Sequence, residues 1–196
     1  MIEMIVTLTI FSILVALTVP TMKAWIASTK VRAVADTLQN GIRLAQSESL
    51  RRSRQVVFVL TSSANPLADF TAGTLTAAAT GNSWAIVTIP AMIDGSESAV
   101  LVGSGALTSA GSAVSIAGPA AVCFNSVGRL VTNSATGTGV TGGTCTNTGT
   151  SGTPPKYTYS VTLTGAQPMD VQLALGGQVH LCDPSQSLSS SNPYGC

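Results

Sequence analysis

Nineteen consecutive uncharged residues, Met4 to Met22, lie between Glu3 and Lys23, and they limit what the chain can become. At about 1.5 Å per residue, a helix of that length reaches across most of a hydrocarbon core of about 30 Å. A cleaved signal peptide has a basic start, a shorter apolar run and a small-residue cleavage site. This segment instead opens on a carboxylate and continues into more helix-forming sequence. The expectation is therefore a membrane-spanning helix. A plain single-pass anchor leaves two of its residues unexplained. Glu3 places a carboxylate at the entry to an apolar helix, and Pro20 removes a backbone hydrogen bond and frees the carbonyl of Ala16. The first suits a cationic partner such as the free amino terminus of a neighbouring subunit. The second suits a bend or local melting when subunits pack.

Beyond Lys23 the apolar positions Val31, Val34, Leu38, Ile42 and Ala45 recur at spacings of three and four, which predicts a helix face turned to a sheet. Lys30, Arg32, Asp36, Arg43 and Glu48 lie opposite. Arg51, Arg52 and Arg54 close the stretch, where cations meet the carbonyl end of the helix dipole. One helix over about 2–54 is roughly 80 Å long, more than a compact domain of this size generates on its own. Such a length fits a subunit whose first half packs against copies of itself. The chain divides into an apolar helix (1–23), its amphipathic continuation (24–54) and a remainder (55–196).

From Gln55 the period becomes that of strands. Val56 to Leu60, Trp84 to Ile89, Val100 to Val102, Ala121 to Phe124, Tyr157 to Leu163, Val171 to Leu175 and Gln178 to Leu181 are short β-branched or aromatic runs, separated by Gly, Ser, Thr, Asn and Pro. The order predicts an α+β subunit with a long helix laid on an antiparallel sheet. Thr132 to Pro155, uncharged but for its polar composition nearly featureless, reads as a long exposed loop anchored by Cys145. Asp183 to Gly195 reads as a Ser-rich tail.

Charged residues are 9% of the chain, and the net charge is +1. Seven of the nine basic residues fall between Lys23 and Arg54, and the remainder is slightly acidic, so no long-range field gathers nucleic acid. The four cysteines, Cys123, Cys145, Cys182 and Cys196, have no metal-like spacing, which favours disulfides and an oxidising compartment such as a periplasm or the cell exterior. Three pairings are open. Proximity favours Cys123 with Cys145 and Cys182 with Cys196, each closure worth about 3 kcal/mol in the chain-entropy model.

The N-terminal run IEMIVTLTIFSILVALTVP resembles that of the type IV pilins and type II secretion pseudopilins, with Glu3 and Pro20 at the family's separation. The resemblance narrows to the minor pilins of the FimT and FimU type and the related pseudopilin GspH through ADTLQNGIRLAQSESLRRSRQVVFV from Ala35, NSWAIV from Asn82, CFNSVGRL from Cys123 and LGGQVHLC from Leu175. It implies a pilin-like fold and a filament subunit that sits in the bacterial inner membrane, is processed and methylated by prepilin peptidase, and is passed by the assembly machinery into an extracellular pilus used in adhesion or secretion. Its partners would be copies of itself or other pilins, Glu3 and Pro20 being the assembly residues. Only Met1 and Ile2 precede Glu3. A leucine codon read as a start, or a sequence that begins late, accounts for the family's missing upstream glycine and aromatic residue. A minor pilin is the first expectation, with a major pilin, a pseudopilin and a DNA-binding pilin as alternatives. DNA-binding members carry a C-terminal Gly-Arg-x-Arg, where this chain has Gly177, Gln178, Val179 and His180. Both arginines are missing, which leaves Arg51, Arg52, Arg54 or Arg129 as phosphate contacts.

Convergent reactive groups are scarce. His180 has neither a G-x-S-x-G nucleophile nor an indicated acidic partner. Gly137, Gly139 and Gly142 spell G-x-G-x-x-G with no strand before or helix after. Asp170 and Asp183 are separated carboxylates near turns. The expectation is a structural protein without catalytic residues, metal or cofactor.

Overall fold

The computed structural model describes residues 2–91, 96–111, 113–133, 139–145 and 156–196, with only the backbone described at positions 17, 19, 20 and 21. A single helix, α1 (Ile2–Arg52), runs 51 residues, about 77 Å, and includes Pro20. Glu3 in its first turn and Arg51 and Arg52 in its last complement the helix dipole. It ends two residues short of the expected Arg54 because Ser53 turns left-handed, at φ 51°. The Ser53 and Arg54 amides then donate back to the carbonyls of Leu50 and Ser49. This is a Schellman closure with serine in the place glycine usually fills.

The rest is β1 (Val56–Thr61), a short helix α2 (Pro66–Thr71), β2 (Ser83–Thr88), β3 (Val100–Ala106), β4 (Ser115–Ala117), β5 (Ala121–Phe124), β6 (Leu130–Val131), β7 (Lys156–Thr162), β8 (Met169–Ala174) and β9 (Val179–Cys182). Where one sheet is expected, two form. A five-stranded sheet has the order β3-β2-β1-β5-β6 and a four-stranded sheet the order β4-β7-β8-β9, every pairing antiparallel. The Leu130 amide donates to the Leu175 carbonyl at 3.1 Å, tying the edge of the first sheet to the second. The architecture is α+β, a long N-terminal helix packed on antiparallel sheets.

β1 is buried on both faces. Val56, Phe58 and Leu60 face the core under α1, with Val31, Val34, Leu38 and Ile42. Val57 and Val59 face a second core with Leu75, Val87, Cys123 and Val140. β7 alternates, burying Tyr157, Tyr159 and Val161 while Lys156, Thr158 and Ser160 are half-buried. That period-two pattern belongs to a sheet with one covered face.

Three elements escape the sequence reading: β4, β6 and α2. The last has a recognisable start, since Asn65 Oδ1 accepts from the Ala68 amide at 3.3 Å and Pro66 takes the first helical position. The expected exposed loop over Thr132–Pro155, anchored by Cys145, is exposed at Thr132, Gly139, Thr141, Gly142 and Thr144 but is drawn against the second core at Val140 and Gly143. Val140 and Cys145 are buried. The Ala77 amide donates to the Thr141 carbonyl and the Thr141 amide to Leu75, which pins this stretch beside the second core. An apolar residue and a half-cystine in an otherwise polar segment are what draw it in. Positions 134–138 and 146–155 of that loop lie outside the described residues.

Disulfides join Cys123 to Cys145 and Cys182 to Cys196, with Cα separations of 5.8 and 5.2 Å. Asp170 on β8 is buried opposite Ser160 and Cys182. Burial raises its carboxyl above the usual range, partly offset by a hydrogen bond from Ser160 and the charge of Lys156.

Two outcomes follow from this packing. Leu38→Ala, fully buried between helix and sheets, costs about 2–5 kcal/mol in thermal unfolding followed by near-ultraviolet circular dichroism, while Ile13→Ala on the exposed half leaves the transition unmoved. Because the folded pKa of Asp170 is raised, its favourable contribution is complete below the ordinary carboxylate value of about 3.9 and is lost as pH rises through the folded value. Asp170→Asn therefore unfolds at the wild-type temperature in strong acid and at a higher one near neutral pH. An equal offset at both ends of the range would contradict this.

Candidate functional site

The helix that buries one face from Val31 onward is bare over 2–26 wherever its side chains are described. Leu8, Phe11 and Trp25 are 67, 66 and 69% exposed, and Ile2, Met4, Ile5, Ile10, Ile13, Leu14, Met22 and Ile26 stand out beside them. Among the described residues the core shared with the sheets begins on the helix at Val31, and of these side chains Trp25 alone lines a notch with the β-domain. An apolar surface of this extent on one element is not a solvent-facing design.

The polar side chains within it are turned inward. The hydroxyls of Thr7, Thr9, Ser12 and Thr18 donate to the carbonyls of Met4, Val6, Thr9 and Val15 at 2.8–3.1 Å. Each therefore presents carbon to its surroundings, as a hydroxyl must where water is absent. Glu3 is exposed at the start of this surface, and the backbone at Pro20 is helical. Among the described residues, no helix is long and apolar enough to cross a membrane.

At the other end of α1 the arginines are engaged within the chain. Arg51 Nη2 and Arg52 Nε lie 2.6 and 2.8 Å from Glu48 Oε2, and hydrogen bonds from Arg51 and then Arg52 hold the Glu48 carboxyl below its usual range. Arg54 pairs with Glu97 and, with Ser53, Gln55, Asn125 and Asn133, lines a cavity of about 380 Å³. Arg129 is exposed in the turn between β5 and β6, apart from these pairs in sequence. Its amide donates to Asn125 Oδ1.

The segment standing where a Gly-Arg-x-Arg would be is structural. Gly177 has φ 89°, and a Cβ there would collide with the Gly128 carbonyl and the Gln46 amide. Gln46 Nε2 donates to that Gly128 carbonyl at 2.9 Å. Gln39 and Arg43 both reach the Val179 carbonyl at 3.4 Å. The hairpin of β8 and β9 is thus clamped to the helix, a role the sequence reading missed because Gln46, Gly128 and Gly177 meet only in the fold. His180 is exposed on β9 opposite Gln172. Asp183 accepts from Ser185, which with Gln167 holds its carboxyl low. Gly139 and Gly142 both have positive φ in the pinned stretch beside the second core, and Gly137 lies outside the described residues. Among the described residues, no three His, Cys, Asp or Glu side chains converge on a point that suits a metal.

Comparison with known proteins bears on this arrangement. The model of a family described as GspH, type II transport protein, matches residues 34–177. Two solved structures of the type IV minor pilin FimU of Pseudomonas aeruginosa are similar to the chain. One, in space group P21, is 14% identical, covers 85% of this chain and 94% of that one, and has a TM-score of 0.47. The other, in space group P65, is 15% identical, covers 84% and 98%, and has a TM-score of 0.45. No curated protein matches. The family match starts on the buried half of α1 and ends at the turn before β9, taking in well over half of the chain, so the chain belongs to the GspH family, whose members are structural subunits and not enzymes.

Proposed function

We propose that the chain is a subunit of a type IV pilus-like filament, a minor one of the FimU kind. Residues 4–22 hold it in the bacterial inner membrane with the β-domain in the periplasm, and the same segment then packs in the filament core. The observation that carries this reading is the division of α1 into a bare apolar half and a buried half. Lipid tails and packed helices are both apolar, so one segment serves in both places. Glu3 takes the amino terminus of a neighbour and sets the register, and Pro20 lets the helix adjust as it packs. Prepilin peptidase processing and methylation of an upstream residue complete the reading.

A second reading, a pseudopilin of a type II secretion system, draws on the description of the matching family as a type II transport protein. A major pilin is a third. A DNA-capturing pilin is disfavoured because Arg51, Arg52 and Arg54 are already paired with carboxylates, so counterion release on phosphate binding would be opposed.

Mass spectrometry of sheared surface filaments separates these readings. The minor-pilin reading expects the chain as a trace component beside a dominant pilin. Dominance would make it the major subunit, and absence from filaments with loss of protein export on gene deletion would make it a pseudopilin. Glu3→Ala should stay in the membrane fraction but fall more than about tenfold in filaments, since stranding one partner of a desolvated ion pair costs about 3–5 kcal/mol. Duplex DNA should not be retained by the chain near physiological salt. Retention that weakens steeply as salt rises would restore the DNA reading.

A further inference from the structure

Where the bare half of α1 meets the β-domain there is a notch of about 190 Å³, lined by Trp25, Ser28, Thr29 and Arg32 from the helix, by Gln167 from the approach to β8 and by Met169 at its start. The four helix residues fall at spacings of three and four and so form one stripe. The two hydroxyls donate to the carbonyls of Ala24 and Ile26, and Ser28 Oγ accepts from the Gln167 amide at 3.4 Å, which fixes the wall against the helix. Trp25 and Arg32 remain as the exposed rims.

The charges around this notch differ from those at the far end of the helix. Among the described residues, Lys23, Lys30 and Arg32 form no ion pair, whereas Arg51, Arg52 and Arg54 all do. Asp36, one turn beyond Arg32, is not within ion-pair distance of it, and Asp183 is held by Ser185 and Gln167. The exposed apolar side chains continue to Ile26, six residues or about 9 Å short of Arg32. Helix side chains lean toward the N-terminus, and Arg32 lines the same notch as Trp25 of the last apolar turn. An amphipathic tryptophan at that level is at home in the interfacial layer of a bilayer.

We propose that this notch holds the phosphate of an anionic membrane lipid, with Arg32 as the charged contact and the Trp25 indole against the glycerol and upper acyl chain. The proposal rests on the membrane reading of residues 4–22 given above. Lys23 and Lys30 lie on the opposite face of the helix at this level and do not line the notch; they add only to the general positive field that draws anionic headgroups. A bound lipid would steady the junction of the bare half with the β-domain until the subunit leaves the bilayer.

The test uses the full chain reconstituted in vesicles of phosphatidylcholine with phosphatidylglycerol. Alkaline extraction first reports insertion, and native mass spectrometry then counts retained phosphatidylglycerol. Wild type and Arg129→Gln, a charge loss distant in sequence from the notch, should retain the anionic lipid equally. Arg32→Gln should retain about fivefold less, the order expected of one cation at an anionic surface. Millimolar inorganic phosphate should leave retention unchanged. Equal retention by Arg32→Gln in a firmly inserted chain overturns the site and leaves the membrane reading standing. Displacement by inorganic phosphate assigns the notch to a free anion and overturns the lipid proposal. Release of the chain by alkali overturns the membrane reading, and the site with it.

Discussion

One stripe of α1, from Val31 to Ala45, is the wall against which everything else is built. Val31, Val34, Ala35, Leu38, Ile42 and Ala45 have no solvent exposure. They share a single core with Phe58, Ile86 and Phe124 of the five-stranded sheet and with Tyr159, Val171 and Leu173 of the four-stranded one. At about 1.5–3 kcal/mol for each large apolar side chain buried, this stripe and its partners supply stabilisation on the order of a small domain's entire margin. Without the helix, both sheets would expose an apolar face. Because the helix is gripped along this length by both sheets, its direction where it leaves the β-domain is set.

The closeness of that grip has a cost that the sequence composition reflects. Gly41 stands against the rings of Trp84 and Phe58, where a Cβ would sit 3.1 Å from the indole, and Gly105 lies under the same indole. The Trp84 Nε1 and Tyr159 hydroxyl are buried and find no hydrogen-bond partner among the described residues. Each such group costs about 1–3 kcal/mol. Burial by the surrounding core pushes the Tyr159 phenol up, far from any useful titration. What these residues provide is ring volume between helix and sheets, Phe58 meeting Trp84 and Tyr159 at centroid distances of 6.1 and 6.3 Å. Two cross-links that close segments of 22 and 14 residues help to offset what the strained, glycine-rich packing gives away.

Much of this was legible because it is written in period. The stripe from Val31 to Ala45 follows the 3.6-residue repeat, and β7 and β1 are β-branched runs whose bounds lie within a residue or two of those read from sequence. β4 and β6, three and two residues long, carry too little pattern to register, and they exist because a longer neighbour supplies the hydrogen bonds. That the strands divide into two sheets depends on pairings such as Val56 with Phe124, which have no local signature. The candidate surface was half legible. Apolarity identified the bare helix, while the neutralisation of Arg54 by Glu97, 43 residues away, required the fold.

On the proposed reading, the balance of polar groups along the bare half decides how the subunit moves between two environments. Exchanging lipid tails for packed helices changes apolar contact little, so the hydrophobic term neither drives nor opposes the transfer strongly. The hydroxyls of Thr7, Thr9, Ser12 and Thr18 are returned to their own backbone in either setting and add no bias. Glu3 is the one carboxylate on this half, and a carboxylate at the edge of an apolar phase is poorly served until a cation meets it. Direction therefore comes from Glu3 and from the cations of the next turns, Lys23, Lys30 and Arg32. The first gains a partner on assembly, while the others leave an anionic surface behind. The transition is then set by a few charges at the two ends of the apolar run, and the run itself serves as a neutral carrier.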